Sequence, residues 1–128
     1  MPISKNVNKK KKLTIFKITG MISTDEFREL IFDFYKGPSP TNFVIMDYRE
    51  AEGTGQQFSQ EKIIQIADYL ELTQKDHKKR LKGKTASVAD KDVIYGISRI
   101  FDNYLNSGER EYRTFRTMDE AMKWIEED

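Results

Sequence analysis

Short apolar segments alternate along the chain with longer segments in which apolar residues recur at helical spacing. Residues 13–20 are rich in β-branched and aromatic side chains, residues 42–48 contain four consecutive apolar residues, and residues 84–90 are mostly small; each segment predicts a strand. Residues 110–116 predict a shorter, charged strand near an edge of the sheet. Residues 2–12 predict a short partner strand before the first of these, with its lysines at the turn, where they protect an edge against unwanted pairing.

Four apolar stripes with a period of 3.6 residues predict helices between and after these strands. Ser23 with Glu26, and Thr117 with Glu120, have the spacing of a capping box at a helix start. Gly96 interrupts the third helix at a cost of about 1 kcal/mol relative to alanine, which predicts that another backbone or a ligand needs the space beside it. The stripes consist of residues 27, 30, 31 and 34; 63, 66, 67 and 70; 93, 97, 100, 101 and 104; and 118, 121, 122 and 125.

The order of these elements predicts the fold class. Strands joined by helices of about ten or more residues form βαβ units, in which helices cover a mostly parallel sheet. Four consecutive apolar residues, 43–46, suit a strand that is covered on both faces. We therefore predict an α/β fold with a single layer of four or five mostly parallel strands, an antiparallel N-terminal edge strand and four helices packed on the sheet. Residues 1–12 are predicted to form a basic N-terminal arm or edge strand, and residues 13–128 a single domain.

Composition narrows the classes of function. The chain has 128 residues, enough for one ordinary domain with a core, and it has no cysteine, which excludes disulfides, thiolate metal sites and cysteine nucleophiles. His77 is the only histidine, so a catalytic triad and a multi-histidine metal site are excluded as well. No apolar run approaches the roughly 18 residues that span a bilayer, and we expect a cytoplasmic protein without a cofactor or a bound metal.

Charge is unevenly distributed along the chain. Residues 1–20 contain six lysines and no acidic residue, whereas the net charge of the whole chain is only +1. The remainder of the chain is therefore net negative, and a negative body repels phosphate backbones. This distribution argues against nucleic acid as the partner, and we interpret the lysine cluster as a solvated turn or tail.

The carboxyl ends of the predicted parallel strands form the candidate binding edge, since ligands of open α/β sheets bind there. Asp47 ends an apolar strand, where it could organise a loop, bind a ligand hydroxyl group or face a phosphorylated partner. The glycine-rich loop at Gly53 lets a partner approach the backbone, but it lacks the lysine of a phosphate-binding loop. The turn 89–92 carries carboxylates at the position where a phosphate would bind, and they would repel it. We interpret it as a capped structural turn, with a recognition surface formed by Lys91 and Asp92 as the alternative.

Three segments of the sequence carry a family likeness: VIMDYREAEG at 44–53, GKTASVADKDVIYGISRIFDNYL at 83–105 and FRTMDEAMKWI at 115–125. They resemble the corresponding blocks of small SpoIIAA-like proteins in the STAS (anti-sigma-factor antagonist) superfamily. The likeness extends from Leu13 to Ile125 and rests on these blocks and on the order of the elements. It implies the fold predicted above and a regulatory, non-enzymatic role. Related members are described alongside the CRAL-TRIO lipid-binding domains, which implies a carrier or sensor of a lipid or small apolar ligand as the alternative.

The resemblance also implies a partner and a binding surface. Anti-sigma-factor antagonists switch partners through phosphorylation of a serine at the start of the second helix, within a block of the type D-x-S-x-x-D-S-S/T-G. In the matching segment of this chain Asp47 stands at the strand end and Ser59 at the helix start, whereas the D-S-S/T-G core is absent. We therefore expect a protein partner, such as a regulatory kinase or an anti-sigma-type protein, and a homodimer stays open. The predicted surface comprises Asp47, Arg49, Gly53, Thr54, Ser59, Asp90, Lys91 and Asp92.

Overall fold

A computed structural model gives the architecture of the chain. It describes residues 3–21, 23, 25, 26, 29, 30, 41–52, 61, 62, 64–66, 68, 69, 83–105 and 110–127. The strands are β1 (Ile3–Asn8), β2 (Leu13–Gly20), β3 (Phe43–Ala51), β4 (Gly83–Val88) and β5 (Arg110–Phe115), and the helices are α1 (Asp92–Leu105) and α2 (Met118–Glu126).

The five strands form one mixed sheet in the order β1-β2-β3-β4-β5. β1 runs antiparallel to β2, and the other three pairs of neighbours are parallel. The prediction of a mostly parallel sheet with an antiparallel N-terminal edge strand is therefore confirmed. Two further predicted helices are described only in part, so the number of four helices stays a prediction. Their described helical residues are Asp25, Glu26, Glu29 and Leu30, and Glu61, Lys62, 64–66, Asp68 and Tyr69.

Apolar side chains cover both faces of the sheet because successive strand residues point to opposite sides. The face covered by α1 has a buried core formed by Phe16, Ile18, Leu30, Val44, Met46, Ala51, Ile66 and Tyr112. The face covered by α2 has a second core formed by Leu13, Ile45, Ala86, Val88, Ala121, Trp124 and Ile125. β3 contributes to both cores, which is why its apolar residues run consecutively rather than alternately.

The predicted apolar stripe of α1 is wrong at two of its positions. Val93 and Ile100 are exposed, at 50% and 41% of their surface. The side that faces the sheet includes Phe101, as predicted, together with Ile94, which also packs against the core, and Ser98, which is buried. The buried side of α1 is thus rotated by one position relative to the prediction. It includes the polar residue Ser98, which a search for apolar residues alone does not find.

The predicted capping box of Ser23 with Glu26 is complete, whereas that of Thr117 with Glu120 has one of its two backbone bonds. The backbone N–H of Glu26 donates to Ser23 Oγ, and the backbone N–H of Ser23 donates to Glu26 Oε1, each at 3.1 Å. At the start of α2, Thr117 Oγ1 accepts from the backbone N–H of Glu120 at 3.2 Å. These bonds satisfy N–H groups that have no partner within a helix, which fixes where each helix begins.

A lysine of strand β4 holds the carboxyl end of helix α2. Lys84 Nζ donates to the carbonyl oxygens of Trp124 at 2.8 Å and Glu127 at 2.9 Å. The same ammonium group lies 5.1 Å from the centre of the Trp124 ring. A cation at this end of a helix satisfies free carbonyl groups and interacts favourably with the helix dipole, so β4 anchors α2 to its face of the sheet.

A candidate functional site at the carboxyl ends of the strands

The carboxyl ends of β3, β4 and β5 lie at one edge of the sheet because these strands are parallel neighbours. We call the charged surface at this edge the strand-end rim. It consists of Asp47 and Arg49 from β3, Asp90 and Lys91 from the connection between β4 and α1, Asp92 at the first position of α1, and Arg116 from the connection between β5 and α2. Five of these residues were predicted as site residues, and Arg116 was not. The predicted residues Gly53, Thr54 and Ser59 lie outside the described residues, as does His77.

Asp47 and Arg49 form a two-pronged ion pair within β3. Arg49 Nε donates to Asp47 Oδ1 and Arg49 Nη2 to Asp47 Oδ2, both at 2.9 Å, and the backbone N–H of Arg49 also donates to Oδ1 at 3.1 Å. Residues two apart in a strand point to the same face, so the pair forms locally. Asp47 is only 4% exposed, whereas the side chain of Arg49 is 45% exposed. The buried carboxylate therefore fixes a guanidinium group that faces solvent.

Burial of the Asp47 carboxylate favours its neutral form, but the contacts with Arg49 outweigh that effect. The side-chain hydrogen bonds, the backbone hydrogen bond and the positive charge of Arg49 together hold the pKa of Asp47 below its ordinary value, with a smaller contribution from Lys17. Asp47 is thus ionised at neutral pH with both oxygens accepting from Arg49. Of the three roles that the sequence leaves open, this geometry is nearest to the organising one, but Asp47 orders the last part of β3 rather than a loop.

An irregularity in the pairing of β2 with β3 follows Asp47. Lys17 pairs with Asp47, but Thr19 pairs with Glu50, so β3 has one residue more than β2 over this interval. Such a bulge turns the following side chains to the other face of the sheet. Ala51 is consequently buried in the core on the α1 face, and its carbonyl oxygen accepts a hydrogen bond from Lys91 Nζ at 2.8 Å.

Arg116 joins the connections that follow β4 and β5. Its Nη1 atom donates to Asp92 Oδ1 at 2.9 Å and to the carbonyl oxygen of Asp90 at 3.2 Å. Its guanidinium carbon lies 3.8 Å from the centre of the Tyr95 ring, within the range of a cation–π contact. Arg116 could have been predicted as a site residue from its position in the sequence. It follows the end of a parallel strand by one residue and therefore lies at the same edge of the sheet as the others.

The strand-end rim presents both signs of charge to solvent. The side chain of Asp92 is 93% exposed and that of Arg116 is 43% exposed. Three cationic and three acidic residues make up the rim, and the hydrogen bonds described above hold Arg49, Lys91 and Arg116 in place. This mixture suits recognition of a surface with complementary charges better than it suits a phosphate group, which would meet the carboxylates. Within the described residues no group of three or more His, Cys, Asp or Glu side chains has the arrangement of a metal site.

A second feature, a groove of about 430 Å³ beside β5, was not predicted. We call it the edge groove. In it, Thr114 Oγ1 donates to Asp102 Oδ2 at 2.6 Å. Burial raises the pKa of Asp102 to about 6, although the Thr114 hydrogen bond and the charge of Arg99 act in the opposite direction. The pKa of Tyr48 in β3 is in turn raised by burial and by the charge of Asp102. The groove is lined by Tyr95, Arg99, Asp102 and Asn103 of α1, by residues 112–116 and by Glu120.

Two solved structures resemble this chain over nearly its whole length. An uncharacterised protein of the DUF3478 family from Shewanella loihica PV-4, described as having a SpoIIAA-like fold, has 13% sequence identity and a TM-score of 0.57, over 96% of this chain and 91% of that protein. The anti-sigma factor antagonist SpoIIAA in its unphosphorylated form has 10% identity and a TM-score of 0.52, over 96% of each chain. At these identities the likeness concerns the fold alone.

No family model and no curated protein matches the sequence. Among the described residues, no helix has the length and apolar character needed to cross a membrane. Both structural neighbours match this chain over 96% of its length. The resemblance noted in the sequence is confirmed at the level of the fold: the chain has a SpoIIAA-like fold.

Proposed function

We propose that this chain is a non-enzymatic regulatory module that binds a partner protein through the strand-end rim. The observation that carries the proposal is the exposed, fixed pair of opposite charges formed by Arg116 and Asp92, beside the exposed Arg49. Because internal hydrogen bonds already orient these groups, this chain would lose little side-chain freedom when a partner binds to them. The SpoIIAA-like fold supports the proposal, since one structural neighbour is an anti-sigma factor antagonist.

The kind of partner follows from the fold and from the charges. We expect a protein of the regulatory kinase or anti-sigma type with its own mixed-charge surface. Its cationic side chains would pair with the rim carboxylates, and its acidic side chains with the rim guanidinium groups. We place Thr54 and Ser59 on the same surface, because the resemblance puts them in the loop and at the helix start that follow β3. Gly53 would there allow the backbone of the partner to approach closely.

The test uses two exposed acidic residues of the rim. Full-length protein carrying Asp90→Ala and Asp92→Ala is expected to capture at least about tenfold less partner from the source cells. The variant removes two rim carboxylates and leaves Arg116 without its ion pair to Asp92. Lys10→Ala is the matched control, since Lys10 lies in the turn between β1 and β2, at the opposite end of the sheet. Thermal unfolding of each variant verifies that it is folded. Equal capture by the rim variant and the control would contradict the proposal.

A second experiment addresses the loop between β3 and the helix that the sequence predicts after Ser59. Thr54→Ala with Ser59→Ala is expected to weaken capture of the same partner, whereas Lys10→Ala is not. Partner binding that survives this variant but not the Asp90 and Asp92 variant would restrict the surface to the described rim. Partner binding that survives both variants would leave the strand-end rim without a role in recognition.

The lipid-carrier alternative remains a prediction. Gly96 was expected to make room for a backbone or a ligand, but a methyl group at this position would meet no described atom within 4 Å, and the residue is exposed. The edge groove is lined mainly by charged and tyrosine side chains rather than by aliphatic ones, and Gly96 is not among its lining residues. Native mass spectrometry of freshly purified protein distinguishes the two functions: a retained lipid favours the carrier, and a mass equal to that of the polypeptide favours the interaction module.

A further inference from the structure

The outer edge of β5 has the features of a surface for pairing with another strand. β5 is the last strand of the described sheet, and it pairs with β4 in unbroken register from Arg110 to Phe115. Its sequence, REYRTF, contains neither lysine nor proline. β1 at the other edge contains Lys5 and runs into the lysines of its turn, which are residues that discourage edge pairing. The chain therefore places charges of one sign at one edge of its sheet, whereas the charges of β5 are of both signs and can complement each other.

The alternation of the backbone defines which residues of β5 face outward. The carbonyl oxygen of Phe115 accepts from the backbone N–H of Ala89, which continues β4, so the backbone groups of Phe115 point toward β4. Because N–H and C=O groups alternate in direction along a strand, residues 111 and 113 also point inward, and residues 110, 112 and 114 point to the outer edge. The side chains of Glu111 and Arg113 are exposed on the sheet face covered by α2.

We propose that two copies of this chain associate by antiparallel pairing of their β5 strands about a two-fold axis at Tyr112. This register places Glu111 of each copy opposite Arg113 of the other. The two residues form a non-hydrogen-bonded pair, the position at which side chains across an antiparallel ladder are closest. The symmetry produces the pair twice. About six ladder hydrogen bonds would join the two sheets into one.

Other symmetric registers of the same two strands lack this complementarity. An axis at Arg113 places that residue opposite its own copy and Arg110 opposite Arg116, so like charges meet. An axis at Glu111 places two carboxylates opposite each other, and an axis at Thr114 places Glu111 opposite the neutral Thr117. Like charges directly across a ladder are destabilising, and opposite charges are stabilising. The charges of β5 therefore select one register among those that the backbone allows.

The edge groove provides further surface for such a pair. A two-fold axis perpendicular to the sheet places both α1 helices on the same side of the joined sheet. The flank of α1 that lines the groove, which includes Tyr95, Arg99 and Asn103, would then face its own copy. Strand pairing of this length buries less than the roughly 1,000 Å² typical of a stable interface. The helix flanks supply the additional surface that a dimer needs.

Sedimentation equilibrium of the full-length protein up to about 200 µM tests the proposal. The wild type is expected to shift from a 15.1 kDa monomer toward twice that mass as its concentration rises. Glu111→Arg and Arg113→Glu are each expected to raise the dissociation constant about tenfold or more, because each creates two like-charge pairs. The double variant Glu111→Arg with Arg113→Glu restores both pairs in exchanged positions and is expected to dimerise like the wild type.

Two controls separate the dimer from the other features of the molecule. Lys10→Glu changes the net charge as much as Arg113→Glu does, but at the opposite end of the sheet, and is expected to leave association unchanged. Asp90→Ala with Asp92→Ala is expected to weaken partner capture at least about tenfold without affecting the dimer. A wild type that stays monomeric at the highest concentration would overturn the proposal. A dimer that tolerates both single charge reversals, or that the double variant fails to restore, would overturn the register and with it the assignment of this edge.

Discussion

Replacing Asp102 by asparagine is expected to make the folded protein more stable at neutral pH, and this gain is expected to vanish in acid. Asp102 lies in α1 and lines the edge groove, where its Oδ2 atom accepts a hydrogen bond from Thr114 Oγ1 at 2.6 Å. Asparagine has nearly the same shape, and its side-chain carbonyl oxygen accepts the same bond. The substitution therefore removes a charge and keeps the contact.

The size of the effect follows from the pKa of Asp102. Burial raises this pKa from an ordinary value of 3.8 to about 6, against the opposing effects of the Thr114 hydrogen bond and the Arg99 charge. Because one pKa unit corresponds to about 1.4 kcal/mol, ionisation costs the folded chain about 3 kcal/mol more than the unfolded chain. Water in the open groove screens the charge, so we expect a gain of about 1–3 kcal/mol for Asp102→Asn.

The sign of the pH dependence is fixed by the direction of the shift. The folded chain binds the Asp102 proton more tightly than the unfolded chain does, because the folded pKa is the higher one. The contribution of Asp102 to stability is therefore greatest below about pH 4 and is lost as the pH rises through about 6. The variant lacks this titration, so its advantage over the wild type should grow over the same interval and stay constant above it.

Urea unfolding of both proteins between pH 4 and pH 8 measures this difference. The fluorescence of Trp124, the single tryptophan, reports unfolding because its ring is buried beside that of Phe115, with 5.6 Å between ring centres. Asp119→Asn serves as a control of opposite sign, since Asp119 lies in the first turn of α2, where a negative charge is favourable. A difference that does not change with pH, or an Asp102→Asn variant that is less stable than the wild type at pH 7, would refute the reasoning.

Two further predictions concern the rim and the glycines. Asp47→Asn is expected to lower the free energy of unfolding by about 1–3 kcal/mol at pH 7. Burial raises the pKa of Asp47, but the bonds from Arg49 hold this pKa below its ordinary value. The wild type therefore loses this stabilisation as the pH falls. An equal loss of stability in the variant at pH 3 and pH 7, measured by urea titration, would count against this prediction. Gly83→Ala is expected to cost at least about 2 kcal/mol, because φ is +149° and a methyl group would collide with the backbone carbonyl of Asn42. Gly96→Ala is expected instead to raise the free energy of unfolding by about 0.5–1 kcal/mol, because a methyl group in this helix meets no described atom. Thermal unfolding that ranks the two alanine variants in the opposite order would show that these local environments are not as described.

The sequence determined the elements of this protein because each of them depends on residues that are close together along the chain. A central strand such as β2 or β3 is recognised by its short apolar segment, and a helix start by two residues three apart, as in Ser23 with Glu26. The parallel arrangement followed from the length of the connections. The ion pair of Asp47 with Arg49 is also local, but its two-pronged geometry required the strand itself, since only an extended backbone places residues two apart on one face.

Only the tertiary structure decided which distant groups meet. Lys91 bonds to a carbonyl oxygen 40 residues earlier, Lys84 reaches the end of α2 40 residues later, and Asp102 meets Thr114 across the space between a helix and a strand. Each of these contacts depends on the order of the strands, on their register and on the rotation of a helix about its axis. A rotation of α1 by one position exposed Val93 and Ile100. Periodicity alone leaves that rotation undetermined, because the side of a helix that is buried is selected by the surface against which it packs.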